Sequence, residues 1–165
     1  MLVQLAWALL LFSAFYEGRK RMIIIQIICS YLATIGFGII VNIPHKALNS
    51  CGWVGVLGWV MYLVVKAADG GTMLANAVAA LAIGLSSIFM ARRLKMPMIL
   101  FNIPSLVPLV PGGQAYKAVR NFAIGNDLAA ISNLVQVAMI AGAIAMGFFV
   151  SELVARTYFR IIIKH

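Results

Sequence analysis

The sequence predicts an all-α polytopic membrane protein with about five transmembrane helices, one of them broken by prolines, and an extra apolar helix at the amino end. Three observations carry that expectation. The first is composition: of 165 residues, 64% are hydrophobic and only 10% charged, with a mean hydropathy of +1.02. A soluble domain carries about 25% charged residues, because water has to wet its surface. Thirteen Lys and Arg with four Asp and Glu cannot cover a water-exposed globule of this size, so lipid is the low-cost environment. The second is where the charges fall. They sit in short clusters between apolar runs: Arg19–Lys20–Arg21, then Arg92, Arg93 and Lys95, then Lys117 and Arg120, then Arg156, Arg160 and Lys164. The third is run length, since about 20 apolar residues make a straight helical crossing.

The elements follow in order. Met1–Tyr16 is apolar but short and ends in Glu17-Gly18-Arg19-Lys20-Arg21. Met22–Val41 is long enough to cross and stops at Asn42-Ile43-Pro44. Gly52–Val65 is slightly short unless Ala67 and Ala68 extend it, and it leads to a turn at Asp69-Gly70-Gly71. Thr72–Ala91 qualifies and is closed by Arg92 and Arg93. Met96–Val110 holds Pro97, Pro104 and Pro108, with Pro111 following. It cannot be one regular helix, because each interior proline removes a backbone bond and clashes with the preceding turn. Within a bilayer such backbone survives only where protein shields it or where it lines a wet cavity. Leu128–Val150 is the last crossing, with Asn126 or Asp127 as its N-cap.

Loop charge gives an orientation. With the start of the Met22 run outside, Lys46, the Arg92/Arg93/Lys95 cluster and the Arg156/Arg160/Lys164 cluster all fall on the cytosolic side, as the positive-inside rule requires. The outside keeps Lys66 balanced by Asp69, and the Lys117/Arg120/Asp127 segment. This makes the proline-rich run a true crossing, places the chain in the cell (inner or plasma) membrane as a multi-pass protein, and leaves the C-terminus cytoplasmic. Arg19–Arg21 violate the scheme. Residues 1–21 are therefore either a helix whose basic end is tolerated on the wrong side or a variable extension. A cleaved signal peptide fits less well, because the basic cluster follows the apolar run. The expected divisions are this extension at 1–21, a transmembrane domain at 22–155 and a basic cytosolic tail at 156–165.

The net charge of +9 does not point to nucleic acid, because no basic face with interleaved aromatics exists. Cys29 and Cys51 show no CxxC or His/Cys spacing, so no metal and no cofactor are expected. There is no nucleophile–base pair, HExxH or Asp pair in the apolar runs, hence no catalytic residue. A channel built from this chain alone lacks a charged ring or filter repeat.

From Met22 to about Val150 the chain resembles the small C-terminal-type half of the threonine/serine exporter (ThrE) family. The matching pieces are Ile35-Gly36-Phe37-Gly38 leading into Asn42-Ile43-Pro44, then Cys51-Gly52-Trp53-Val54-Gly55. The most specific is Ile103-Pro104-Ser105-Leu106-Val107-Pro108-Leu109-Val110-Pro111-Gly112-Gly113 with Tyr116 downstream. The resemblance implies export of small polar amino acids such as threonine and serine, or of small carboxylates. Some members hold both halves in one chain and others split them. The resemblance thus implies a larger cognate membrane subunit as partner in the bilayer, a homo-oligomer being the other assembly open to it.

Polar atoms inside a membrane are costly and mark function first. Asn42 precedes Pro44, and Asn102 precedes Pro104. Each asparagine either hydrogen-bonds a polar solute together with freed carbonyls, or caps its own kink. Pro111-Gly112-Gly113 is expected to open a helix through Gln114–Phe122. Its free N–H groups suit a carboxylate, with Tyr116, Lys117 and Arg120 near the mouth; the alternative is a plain loop-to-helix turn with solvated charges. The substrate pathway expected from sequence is therefore Asn42, Pro44, Asn102, Pro104, Pro108, Pro111, Gly112, Gly113 and Tyr116. Gly52, Gly55 and Gly58 at spacings of three, with the small pairs Ala80/Gly84 and Ala143/Gly147, are expected to pack helices. No Asp, Glu or His lies mid-run, so a proton-coupling acid is expected on the partner; His45 is the one local candidate for a titrating gate. The competing class is a structural or assembly subunit with no solute site of its own.

Overall fold

A computed structural model describes residues 22–162, with side chains as far as Thr157. The apolar stretch at 1–21 and the side chains of Arg160 and Lys164 lie outside the described residues. The elements are α1 (Met22–Ile40), α2 (His45–Ala67), α3 (Gly71–Leu94), α4 (Ile99–Leu106), a 3₁₀ turn (Val107–Leu109), α5 (Gly112–Ala123) and α6 (Asp127–Ile162).

Among the described residues four helices, α1, α2, α3 and α6, are long and apolar enough to cross a membrane. The chain is thus an all-α membrane protein, and its described spans are those four plus one broken segment. The 8-residue α4 and the 3-residue turn together rise about 18 Å, little more than half of a hydrocarbon core of about 30 Å. The proline-rich run is therefore a broken segment and not one regular helix of spanning length. α2 begins at His45, earlier than the apolar run at Gly52, because nothing in Lys46–Cys51 breaks a helix. α6 has 36 residues, about 54 Å of helix, and passes Ala155–Arg156 without interruption.

Chain direction follows from who meets whom. A Cβ on Gly38 would touch Leu48, and one on Gly52 would touch Tyr31, so α1 and α2 are antiparallel. Gly58 meets Ile83 while Cys51 shares a cluster with Ala91, so α2 and α3 are antiparallel. Gly147 meets Ala80, and Gly84 meets Ser151, so α3 and α6 are parallel. Lys46, Arg92, Arg93, Lys95 and Arg156 consequently gather at one end of the bundle, and Lys66 and Asp69 at the other.

The ends are built by one device. α1 closes with Asn42 N–H on Ile39 O (3.0 Å) and Ile43 N–H on Gly38 O (2.9 Å), the Schellman pattern with its left-handed residue at Asn42 (φ 60°). Asp69 (φ 55°), Lys95 (φ 54°) and Gly125 (φ 75°) occupy the same place after α2, α3 and α5. α6 starts with Ala129 N–H on Asn126 Oδ1 at 3.4 Å, so Asn126 is the cap.

The α2 and α3 apolar windows are 39% buried, against 17% for α1 and 22% for α6. α2 and α3 therefore form the centre, with Val54, Ala79, Ala80 and Ile83 packed on Ile140 and Ile144 of α6. The outer faces expose Ile24, Ile28, Leu32, Ile39, Met146 and Phe149, a surface only lipid or another membrane protein accommodates.

Candidate functional site at the proline break

Pro104 has no N–H, so the Leu100 carbonyl loses its helical donor. The Cys51 thiol supplies a replacement, donating to Leu100 O at 3.3 Å. Ser105 Oγ returns a hydrogen bond to Cys51 O at 3.1 Å. These two contacts fasten α4 along α2, with Phe101 fully buried against Ala47, Cys51 and Ala91. Beyond Leu106 the helix tightens to the 3₁₀ turn with Pro108 in its first positions. The chain then extends at Val110 (φ −62°, ψ 128°) and bends at Pro111 (φ −77°, ψ 50°). Gly112 N–H closes onto Val110 O at 2.8 Å, an inverse γ-turn. α5 follows at once. Ala115 N–H takes Pro111 O at 3.1 Å, while the Gly113 and Gln114 amides have no backbone partner, the usual state of a helix amino end.

Three adjoining cavities surround this break. The first, of ≈ 160 Å³, lies between Trp59 and Tyr62 of α2, Thr72 and Asn76 of α3, Pro108–Pro111, Gln114 and Ile140. The second, of ≈ 230 Å³, lies on the α1 side, against Gln26, Cys29, Ser30, Ala33, Trp59 and Pro108. The third, of ≈ 290 Å³, continues from the first along Thr72, Met73, Gln114, Gln136, Met139 and Ile140. Trp59 and Pro108 are walls of both the first and the second. Each has room for several waters.

The lining is neutral and polar at chosen points. Asn76 is 4% exposed, and its Nδ2 donates to Thr72 O at 2.7 Å. The Trp59 and Tyr62 rings stack at 5.1 Å, and Lys66 Nζ donates to Tyr62 Oη at 3.4 Å. Trp59 Nε1 and Gln26 Oε1 are buried without any partner. Among the described residues, Cys29 and Tyr62 are the only ionisable members of the three linings, which therefore offer hydrogen bonds and the amino end of α5 rather than full charges. Among the described residues no group of three or more His, Cys, Asp or Glu is placed to hold a metal.

Residues 26–154 match the family described as "Threonine/Serine exporter, ThrE". The chain belongs to the threonine/serine exporter family. A protein of Haemophilus influenzae described as "Uncharacterized protein" is 27% identical over 124 residues, covering 70% of this chain and 42% of that relative. The chain thus spans less than half the length of this curated relative. No solved structure matches.

Of the pathway residues expected from sequence in this exporter-family chain, Pro108 and Pro111 line the first cavity. Pro104 is buried in α4. Asn102 is half-buried with Oδ1 unpaired, but it borders none of the three cavities. Asn42 and Pro44 sit exposed in the α1–α2 turn at the basic end, where Asn42 serves the helix terminus. Gly112 and Gly113 are exposed, and a Cβ on either meets open space. Tyr116 is 70% exposed and lies outside the linings, as do Lys117 and Arg120. Gly52 and Gly55 face Tyr31 and Thr34 of α1, whereas Gly58 faces Ile83 of α3. A spacing of three drifts about 60° per step, so the three glycines do not share one face. Ala143 is half-buried, and Gly147 abuts the Ala77 carbonyl and Ala80. Sequence reasoning passed over Gln26, Trp59, Thr72, Asn76, Gln114 and Gln136. For the amides a signal existed, because Gln26, Asn76 and Gln136 each stand inside an apolar run.

Proposed function

We propose that this chain is a subunit of an exporter for small polar amino acids of the threonine/serine kind, or small carboxylates, and that the solute passes the cavities beside the proline break. The carrying observation is the first cavity: neutral donors and acceptors from α2, α3 and α5 converge on interrupted backbone. The amino end of α5 suits the carboxylate, and the Asn76, Thr72 and Gln114 side chains suit an ammonium or a hydroxyl. The family assignment supports the same reading. The chain works with a larger membrane subunit, a proposal that fits the extensive apolar surface of α1 and α6. Its place is the cell membrane with the Lys46/Arg92/Arg156 end in the cytoplasm, as the excess of basic groups at that end favours.

The test is threonine and serine efflux from cells carrying both subunits, with complex abundance measured in parallel. Asn76→Leu and Gln114→Leu each remove hydrogen bonds of about 1–1.5 kcal/mol and are expected to slow efflux about five- to tenfold at unchanged abundance. Unaltered efflux in both would leave the structural-subunit reading in its place.

A further inference from the structure

The proposed route accounts for the cavity between α2, α3 and α5, but not for its neighbour on the α1 side. That second cavity shares two walls with the first, Trp59 and Pro108. Pro108 is held by the 3₁₀ turn and cannot move far. Trp59 is a single side chain, half-buried, whose ring stacks on Tyr62 in the wall of the first cavity. Trp59 Nε1 on the shared wall and Gln26 Oε1 beside the second cavity are both buried without a hydrogen bond. An unpaired buried donor or acceptor raises the free energy of the arrangement that contains it. A conformer in which the indole turns toward either cavity would offer that N–H to water or solute.

Taking the first cavity as a solute site, we propose that the Gln26–Cys29–Pro108 cavity is a second, water-accessible station on the same route for a small hydrogen-bonding solute, with the Trp59 ring as the partition between the two. The chain carries its own reporter. Cys29 lines the second cavity and is exposed, whereas Cys51 is buried and engaged with Leu100.

The experiment labels the full chain, with its partner subunit, in open membrane fragments, using a positively charged methanethiosulfonate; Cys29→Ser fixes the background. Cys29 is expected to react, and threonine is expected to slow the reaction several-fold. Trp59→Ala opens the partition and should speed labelling several-fold. Trp59→Phe keeps a ring but removes the orphan N–H, so it should hold the partition shut and slow labelling. Opposite signs for the two variants are the signature, because a ring that merely packs would shift both the same way. If Cys29 resists the charged reagent but reacts with a lipid-soluble maleimide, or if both variants shift labelling in one direction, the second station is overturned. Efflux separates the two proposals. Slowed efflux in Asn76→Leu or Gln114→Leu with unresponsive Cys29 sinks the station alone, and unaltered efflux in both sinks the first cavity's role whatever Cys29 does.

Discussion

Cys51 shows how one side chain repairs what another removes. Pro104 strips the Leu100 carbonyl of its donor, and the Cys51 thiol supplies one from the neighbouring helix. Cys51→Ser keeps a donor and is expected to preserve stability, whereas Cys51→Ala leaves a buried carbonyl unpaired and costs about 1 kcal/mol. Thermal unfolding of the two variants in detergent checks the difference. Glycines make a second contrast. A Cβ at Gly147 would press on the Ala77 carbonyl, which is backbone and cannot yield, whereas at Gly142 it meets nothing within 4 Å. Gly147→Ala should destabilise by about 1–3 kcal/mol, and Gly142→Ala should be neutral or stabilising by up to about 1 kcal/mol. Equal midpoints for the pair would contradict the α3–α6 packing described above.

At the level of the helices, left-handed residues decide where three spans stop and the next begins. Asn42, Asp69 and Lys95 hold φ values of 54–60°, a region that costs side-chain-bearing residues about 1–2 kcal/mol, with Asn and Asp the best tolerated. Asn42→Gly is therefore expected to raise the unfolding midpoint slightly, and Asn42→Val to lower it. That outcome would assign Asn42 to the helix end, one of the two roles its sequence position allowed. The long elements were legible because apolar run length reports directly on what the bilayer demands. The start of α2 was not, since His45 and Lys46 look like loop residues until the helix is seen to begin at the surface. The break itself was legible from Pro104, Pro108 and Pro111, which forbid regular helix. What the break faces was not, because Trp59, Asn76 and Gln114 come from three helices whose rotations no local pattern fixes.

For the molecule as a whole, the parallel arrangement of α3 and α6 sorts the charges. Lys46, Arg92, Arg93, Lys95 and Arg156 share one end, and Lys66 with Asp69 the other. A reporter fused after His165 is expected to be cytoplasmic, and one inserted at Gly70 external; the reverse pattern would invert the proposed orientation. α5 packs back along the first part of α6, with Gln114 beside Gln136 and Ile140. This antiparallel hairpin carries Lys117, Arg120 and Asp127 past the amino end of α3.

Parallel α3 and α6 also bear on how the polypeptide is made. Between them the chain has to return across the whole bilayer, yet α4 with its 3₁₀ turn offers a stretch roughly half as long as insertion of an independent helix requires. During synthesis that stretch has no means of committing itself. α5 can be drawn to the far side only once α6 emerges and threads behind it. A chain stopped after Ala123 should therefore leave its end on the same side as Arg92, and completing α6 should move that segment across. A reporter placed in α5 of the shortened and the full-length chains would record the switch, and an unchanged location would mean that the half-length helix crosses unaided.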